Sequence, residues 1–435
     1  MSEIAATDGQ VRKMTLQADT RTAPSLKTVM SGRVTGARKG RRSAALRAAL
    51  PAAPLLVFLT CFLVFPLLFI LHTAVSDREI VDNLRETGAS LEGWNGDGPP
   101  PAETYAIFLR EIGAAEKQGT LRQVGRRIGY QLERGMNVVQ KAARVARADG
   151  MTDTASVRQA LIAADPAFAA PGIWTIIRDQ DSPYSLFYLK WAAGFQTRLD
   201  KDSLASKEVG YDFRLFYVRT ILVSLVVTAL TLVVGYPLAY VIANARGWVG
   251  GLMLFCILLP FWTSLLVRTM SWIVVLQTNG VLNGLLMSLG AVTEPLTLLY
   301  TRTATILVMF QIQLPFTVLP MLGVMQAIPA SHVRAARSLG AGPLRAHFNV
   351  YFPQAVPGMA AGGLLTFVLC LGFYLTPALV GGASDQLISF FIARFTNEEL
   401  NWGLASALST LLVVGAGLCA MPFARLISRH ASERK

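Results

Sequence analysis

Six long runs of apolar residues alternate with polar segments along this chain. The runs cover residues 54–74, 220–243, 250–277, 304–325, 359–380 and 404–424. A helix needs about 20 mostly apolar residues to cross a bilayer, and each run has that length. Because lipid offers no hydrogen-bond partner to the backbone, and because no run alternates as a barrel strand does, we expect helices. The predicted fold class is an all-α polytopic membrane protein with six transmembrane helices.

Composition supports this assignment. With 53% hydrophobic and only 15% charged residues, the chain is too apolar for an ordinary soluble domain. A formal net charge of +13 raises the question of nucleic acid binding. Basic residues beside spanning helices account for most of that surplus, so we expect membrane lipid and no nucleic acid among the partners.

Charge also predicts the orientation in the membrane. Residues 1–50 contain ten Lys or Arg against three acids, Glu3, Asp8 and Asp19. Basic segments that flank a span remain in the cytoplasm, which predicts a basic cytoplasmic arm here. The run at 51–74 follows as a retained anchor rather than a cleaved signal peptide. An even number of spans then returns residues 428–435 to the cytoplasm as a short tail.

The longest polar segment, residues 75–213, separates the first two runs and would lie on the outer side of the membrane. Apolar residues recur through it at helical spacing, for example Tyr105, Phe108 and Ile112. We expect a small helical domain in this insert. Two roles fit it: a steric cover over the outer ends of the spans, or a platform on which a soluble binding protein docks.

A second polar segment, residues 327–357, separates the fourth and fifth runs and would lie in the cytoplasm. The alanines at 335–336 favour a short helix whose small side chains let another backbone approach closely. Gly340 suits the left-handed position that ends a helix, and Pro343 suits the first turn of the next. We expect Pro353 to end that second helix and to restart the chain as the fifth span. An ordinary cytoplasmic loop is the plainer interpretation of the same pattern.

The layout of residues 327–357 resembles the cytoplasmic coupling loop, often called the EAA loop, of ATP-binding-cassette importer permeases. Further motifs make the chain similar to the first permease of spermidine/putrescine-type importers. They are Tyr-Pro-Leu-Ala-Tyr at 236–240, Leu-Pro-Phe-Trp-Thr-Ser-Leu-Leu-Val-Arg-Thr at 259–269, Asn-Gly-Val-Leu-Asn at 279–283, Leu-Pro-Phe at 314–316 and Thr-Pro-Ala-Leu-Val-Gly-Gly at 376–382. The match runs from Arg219 to Ala424, together with the first span. This subfamily also handles other small cationic or polar solutes.

The resemblance implies a type I importer architecture, with residues 214–427 as the permease core. It also implies a bacterial inner-membrane complex of two homologous permeases, two ATP-binding-cassette ATPase subunits and a periplasmic solute-binding protein. The residues expected to couple the permease to the ATPase are Arg334, Ala335, Ala336, Arg337, Leu339, Gly340, Pro343 and Pro353.

No Gly-x4-Gly-Lys-Ser/Thr phosphate loop occurs in this sequence, so ATP and Mg²⁺ would bind the partner ATPase subunits. No cofactor, metal site or catalytic residue is expected in this chain, which would be a transport subunit and not an enzyme.

Two features depart from the family pattern. The coupling loop usually carries Glu where this chain has Arg334. A base at a helix N-terminus is unfavourable by about 0.3–1 kcal/mol, so the groove of the ATPase that receives it would differ in charge. The second departure is the insert at 75–213, which is longer than the corresponding family segment.

Polar and aromatic residues within the apolar runs are candidates for the solute path or gate, because polar groups are costly in lipid. The candidates are Trp262, Arg268, Trp272, Gln311, Gln313, Pro315 and Tyr374. Plainer roles compete with these. The two glutamines could bond to the second permease, and Arg268 could reach the outer interface beside Trp272. Pro315 is expected to kink the fourth span.

A stand-alone secondary transporter or channel with an extracellular domain is the alternative function. It needs charged relay residues deep in the spans, and this chain has almost none. A membrane-anchored sensor would need a cytoplasmic signalling domain, for which the tail at 428–435 is short. The resemblance implies import of a polyamine or a similar small polar solute, by alternating access coupled to the ATPase.

Overall fold

The computed structural model describes residues 53–148, 153–180, 182–195, 212–245 and 247–432, with side chains as far as Leu426. The arm predicted at residues 1–50 lies outside the described residues. The chain divides into two compact units, Met1–Leu68 and Phe69–Lys435. In the first unit, the described residues are helical and include a π turn at Thr60–Val64. In the second unit, every named element of the described residues is a helix.

Six helices are long and apolar enough to cross a membrane, which confirms the predicted fold class. They are Ala53–Val75, Phe213–Asn244, Leu265–Ser288, Arg302–Gln326, Pro343–Leu371 and Trp402–Leu426, here named the first to sixth spans. The name third span also includes the shorter apolar helix Trp248–Trp262 that precedes Leu265, so that it covers residues 248–288. The last of these continues as a helix to Ser432. The fourth span stays helical through both of its prolines, Pro315 and Pro320.

The third apolar run is not one helix, so the prediction of a continuous span over residues 250–277 is wrong. Its pieces are the helix Trp248–Leu258, the 3-10 turn Leu259–Trp262, and the helices Leu265–Leu276 and Val281–Ser288. Pro260 has no N–H to donate, and Ser264 is extended and caps the helix that follows. These two residues account for the break.

The fifth span starts and ends earlier than the run at 359–380. It joins Pro343–Ala346, the π turn His347–Tyr351 and the helix Phe352–Leu371 into one continuous helix. The prediction that Pro353 ends a helix is therefore wrong. The π turn directly before it takes up the hydrogen-bond mismatch that a proline causes. Beyond Leu371 the chain forms a separate short helix, Leu375–Val380.

The insert between the first and second spans is helical, as predicted. Its helices are Arg85–Ser90, Ala102–Gln118, Leu121–Gly129, Gly135–Arg147, Thr154–Ala164, Pro166–Phe168, Gly172–Arg178 and Phe187–Ala192. Fully buried aromatic side chains hold the centre of these helices together. The Tyr105 and Trp174 rings meet edge to face at 4.8 Å between centroids. Both side chains donate hydrogen bonds to the Phe168 carbonyl, at 3.0 and 3.1 Å.

A buried ion pair ties the two ends of the insert to its middle. The Arg127 guanidinium donates to both carboxylate oxygens of Asp77 at 3.0–3.1 Å, and the two side chains are 3% and 0% exposed. Gln180 and Ser185 complete the network, the first accepting from Arg127 at 2.6 Å and the second donating to Asp77 at 2.8 Å. Because Asp77 follows the first span and Ser185 precedes the last helix of the insert, this network joins segments far apart in sequence.

Small residues let the spans approach closely. A Cβ atom on Gly362, in the fifth span, would lie 2.5 Å from the Thr317 carbonyl oxygen of the fourth. Gly358, one turn earlier, has the same close approach, with Val324 at 2.9 Å. This Gly-x3-Gly spacing is the usual solution for packing helices in lipid, where apolar surface alone gives no drive to associate.

We predict that Asp77→Asn destabilises the insert by about 3–5 kcal/mol, because it leaves the buried Arg127 guanidinium without its counter-charge. Hydrogen exchange of insert amides in the full-length protein measures this loss. The matched control is Glu86→Gln, which breaks the surface pair with Arg110, in which both side chains are more than half exposed. That change should cost about 0–1 kcal/mol. Equal protection losses in the two variants would contradict the prediction.

Candidate functional site

The polar segment at residues 327–357 contains a short helix, Ala330–Ser338, at the predicted place. Val333 packs against the apolar cluster formed by the ends of the second and fourth spans, and Ala336 is half-buried beside it. Arg334 and Arg337 point outward and are exposed. The helix therefore rests on the bundle with one face and presents a basic face outward. We call it the coupling helix.

The coupling helix ends with a left-handed glycine, as predicted for Gly340. Gly340 has a φ of +90°, the left-handed conformation that a side chain disfavours. The Ala341 N–H donates to the Ala336 carbonyl at 3.1 Å, which closes the last turn. Leu339 is 89% exposed at this turn, and Pro343 opens the next helix. An apolar side chain so exposed on a polar loop is suited to a partner surface.

The position of Arg334 differs from its prediction. The coupling helix begins at Ala330, so Arg334 follows the first turn instead of lying at the N-terminus. The helix-dipole penalty is confined to the first turn and does not apply here. Arg334 is therefore a surface charge of the outward face.

Side chains not singled out from the sequence join the coupling helix to the fifth span, and the fifth span to the second. His332 Nδ1 lies 3.0 Å from Gln354 Oε1, and Gln354 donates to the Val350 carbonyl in the π turn at 2.6 Å. Beside this turn, the Tyr236 hydroxyl of the second span lies 2.9 Å from His347 Nε2. The only sequence signal for this cluster was aromatic residues on both sides of the loop.

The second candidate site lies at the break in the third span. Ser264 Oγ accepts from the Val267 N–H at 3.2 Å and caps the helix that begins at Leu265. Arg268 bends back toward the start of the span and donates to the carbonyls of Pro260 and, at 3.1 Å, Thr263. The alternative in which Arg268 reaches the outer interface beside Trp272 stays a prediction. The guanidinium supplies donors to backbone carbonyls that the break leaves without helical partners.

A cavity of about 300 Å³ opens beside this break, lined by Leu259, Pro260, Thr263, Val267, Arg268, Ser271, Trp272, Val275 and Gln311. Trp272 Nε1 donates to Gln311 Oε1 at 3.3 Å and so links the third and fourth spans. A second cavity of about 380 Å³ shares Pro260 and Gln311 with the first and adds Pro315. Three of the predicted residues therefore line one cavity, and Gln311 lies between the two.

The other candidates lie apart from these cavities. Trp262 ends the 3-10 turn and is 78% exposed. Gln313 is buried in the fourth span, and its Oε1 atom has no hydrogen-bond partner. Tyr374 precedes the short helix Leu375–Val380 and is partly exposed. Three residues at the break, Pro260, Thr263 and Ser264, belong to the motif at residues 259–269. A proline followed by two hydroxyl residues is the sequence signal that could have indicated a break there.

Negative charge is confined to one end of the permease core. Between residues 214 and 427 the acids are Glu294, Asp385, Glu398 and Glu399, and none lies in a span. Asp385 pairs with Arg302 at 2.7 Å. Among the residues that the structure describes, no cluster of His, Cys, Asp or Glu could hold a metal ion. The arrangement thus offers aromatic faces, amides and carbonyls to a solute rather than carboxylates.

Comparisons with known proteins agree with this geometry. A family model described as "Binding-protein-dependent transport system inner membrane component" matches residues 235–433. The spermidine/putrescine transport system permease protein PotB of Salmonella typhimurium is 32% identical over 214 residues, which cover 48% of this chain and 74% of the relative. PotB of Escherichia coli is 34% identical over 203 residues, 46% of this chain and 74% of that protein.

A crystal structure of a bacterial ABC transporter involved in the import of the acidic polysaccharide alginate also matches. It has 18% identity and a TM-score of 0.39, covering 55% of this chain and 87% of that one. On the family model and the PotB relatives, this chain belongs to the family of binding-protein-dependent ABC importer permeases, the inner-membrane components of those transport systems.

Proposed function

We propose that this chain is one of two permeases in an ATP-driven importer, and that its coupling helix receives the motion of a separate ATPase. The observation that carries this proposal is the coupling helix itself. Its outward face is exposed and basic and ends in the exposed Leu339. On the other side, Val333 packs on the cluster at the span ends, and His332 contacts Gln354 of the fifth span. A helix that is exposed on one side and packed on the spans on the other can transmit the motion of a bound ATPase to the spans.

The coupling helix and the insert lie at opposite ends of the second span, which supports placing them on opposite sides of the membrane. Phe213 begins this span beside the insert, and Tyr240 packs on His347 near the coupling helix, with ring centroids at 4.7 Å. At 1.5 Å per residue, these positions are about 40 Å apart, more than the hydrocarbon core of a bilayer. The termini and the coupling helix would then be cytoplasmic, and the insert periplasmic.

The mechanism is alternating access. ATP and Mg²⁺ bind two partner ATPase subunits, whose closure draws the coupling helices of the two permeases together. The spans then open outward to receive solute from a periplasmic binding protein, and hydrolysis returns the path to the inward-open state. The third to sixth spans pack in two different ways, one in the outward-open state and one in the inward-open state. Breaks such as that at Pro260 are places where a span can bend.

The proposed solute is a polyamine such as spermidine or putrescine, or a similar small polar solute. The named function of the PotB relatives supports this class. The cavity beside Trp272 offers an indole face and the Gln311 amide to an amine, and cation–π contacts of this kind contribute about 0.5–2 kcal/mol. A secondary transporter is the alternative, and it would require charged relay residues deep in the spans, where this chain has almost none and spans two to six contain no acid.

The test is purification of this protein from native membranes, with ATPase assayed in the eluate. Co-purification of an ATPase and a second permease is expected, with turnover stimulated by a binding protein loaded with spermidine or putrescine. Recovery of this chain alone, with solute flux driven only by an ion gradient, would overturn the proposal.

We predict that Ala336→Asp and Gly340→Val abolish ATP-dependent transport, whereas Arg334→Glu preserves assembly with the ATPase. Aspartate at 336 places an unpaired charge on the inner face of the coupling helix, and valine at 340 disfavours the φ of +90°. Arg334 is exposed on the same helix, which makes it the matched control. The readout is ATPase recovered with the affinity-tagged permease. Full assembly and transport in the first two variants would exclude the docking role.

We predict that Arg268→Gln lowers spermidine or putrescine uptake by about tenfold or more while the ATPase still co-purifies. Hydrogen bonds to a charged group contribute about 1.5–3 kcal/mol, and the carbonyls of Pro260 and Thr263 would lose theirs. Ser271→Ala is the control, because Ser271 lines the same cavity but bonds to its own helix at 2.8 Å. Uptake in proteoliposomes measures both. Normal uptake by the Arg268 variant would show that the break does not need this cap.

A further inference from the structure

The insert is joined to the outer end of the sixth span by a set of polar contacts, here called the junction. Its members from the insert are Glu79, Arg126, Tyr130 and Tyr188. Its other members are Glu399 and Asn401, directly before the sixth span, and Gly403 in its first turn. Arg126 is central, because it donates to the Glu399 carbonyl at 2.7 Å and to the Glu79 carboxylate at 2.6 Å.

One contact of the junction holds the residue that starts the sixth span. Asn401 is fully buried, and its Nδ2 donates to the Tyr130 hydroxyl at 2.5 Å. Its Oδ1 accepts from the Leu404 N–H at 3.1 Å, as an N-cap residue does. The preceding Leu400 has a φ of +52°, an uncommon conformation for a leucine that its surroundings must maintain. A side chain of the insert thus bonds the cap of a membrane helix directly.

The insert and the sixth span also pack closely around these hydrogen bonds. A Cβ atom on Gly403 would lie 2.6 Å from the Tyr188 ring, so the insert and the sixth span touch with no room for a side chain. The Tyr130 and Trp191 rings are 4.9 Å apart on the insert side. Tyr188 and Trp191 share one apolar cluster with Phe213, at the start of the second span, and with Phe391. The junction is therefore a continuous core and not a surface contact.

The two tyrosines of the junction remain protonated. Burial, followed by the nearby Glu79 and Asp77 carboxylates, raises the pKa of Tyr188 well above its usual value. The neutral phenol donates to Glu79 at 2.9 Å. Burial likewise raises the pKa of Tyr130. Both hydroxyls keep their protons at physiological pH, so these contacts are constant features of the fold.

We propose that the insert is a rigid arm of the sixth span: binding-protein contact with the insert is transmitted through Arg126, Tyr130 and Asn401 to the outer end of that span. This inference rests on the proposed importer function and names the part of the permease that the binding protein acts on. Arg126, Tyr130 and Asn401 are positioning residues in this role. Each acts through another group, the loop before the sixth span or its cap, and not on the solute.

The experiment uses the whole complex in lipid nanodiscs, with its binding protein loaded with spermidine. The variant is Arg126→Gln combined with Tyr130→Phe, which keeps the aromatic packing but removes the hydrogen bonds. We expect basal ATPase and the half-saturating concentration of binding protein to stay within about twofold. The maximal stimulation should fall by about fivefold or more, the size of a typical coupling between sites. Tyr130→Phe alone, a milder change, should give a smaller fall in the same direction.

The matched control is Tyr105→Phe combined with Arg147→Gln. It also removes a tyrosine hydroxyl and a guanidinium from the insert, but Tyr105 bonds within the insert core and Arg147 pairs with Glu116 at the surface. This control should keep full stimulation. Hydrogen exchange over residues 388–408 supplies a second readout, and binding protein should alter it in the wild type but not in the junction variant.

Three outcomes would overturn the inference. Full stimulation in the junction variant would show that the insert does not act on the sixth span. A raised half-saturating concentration with unchanged maximal stimulation would mean that the junction only orients a docking face. A wild-type complex without any stimulation would instead refute the proposed importer function, and the inference with it.

Discussion

Close contact between the fourth and fifth spans organises the permease core. Gly358 and Gly362 bring the two backbones together, and the hydroxyls of Thr317 and Thr366 meet at 2.5 Å across the same seam. In lipid, apolar side chains gain nothing by leaving a solvent that is equally apolar, so small residues and hydrogen bonds must supply the association. The coupling helix is fixed to the end of this pair, and the broken third span is joined to it through Gln311.

Two arginines show two ways in which the chain provides acceptors for a guanidinium. Arg127 in the insert is buried and is matched by the Asp77 carboxylate, with Gln180 as a further acceptor. Arg268 in the third span is half-buried and donates to backbone carbonyls beside the helix break, whereas its Nε atom has no partner. Arg127 thus obeys the rule that a buried donor must find an acceptor, and Arg268 does so only in part.

The insert and the coupling helix lie at opposite ends of one bundle. The second span reaches from Phe213, in the apolar cluster shared with the insert, to Tyr240 beside His347. Each is joined to the bundle by side-chain contacts: Tyr130 with Asn401 at one end, and His332 with Gln354 at the other. The broken third span lies between these two ends and contacts the fourth span through Trp272 and Gln311.

Apolar periodicity predicted six spans and a helical insert, and the alanines at 335–336 together with Gly340 predicted a short helix in the segment at 327–357. Each of these depends on local spacing or on one residue's backbone preference. The helix break needed the fold, since a proline in an apolar run is compatible with a continuous helix, as Pro315 shows. The partners of Arg268 could not be read from the chain, because snorkelling and carbonyl capping place the same residue type at the same position. The junction lay furthest from sequence reasoning: Tyr130 and Asn401 are 271 residues apart, and only tertiary packing brings them into contact.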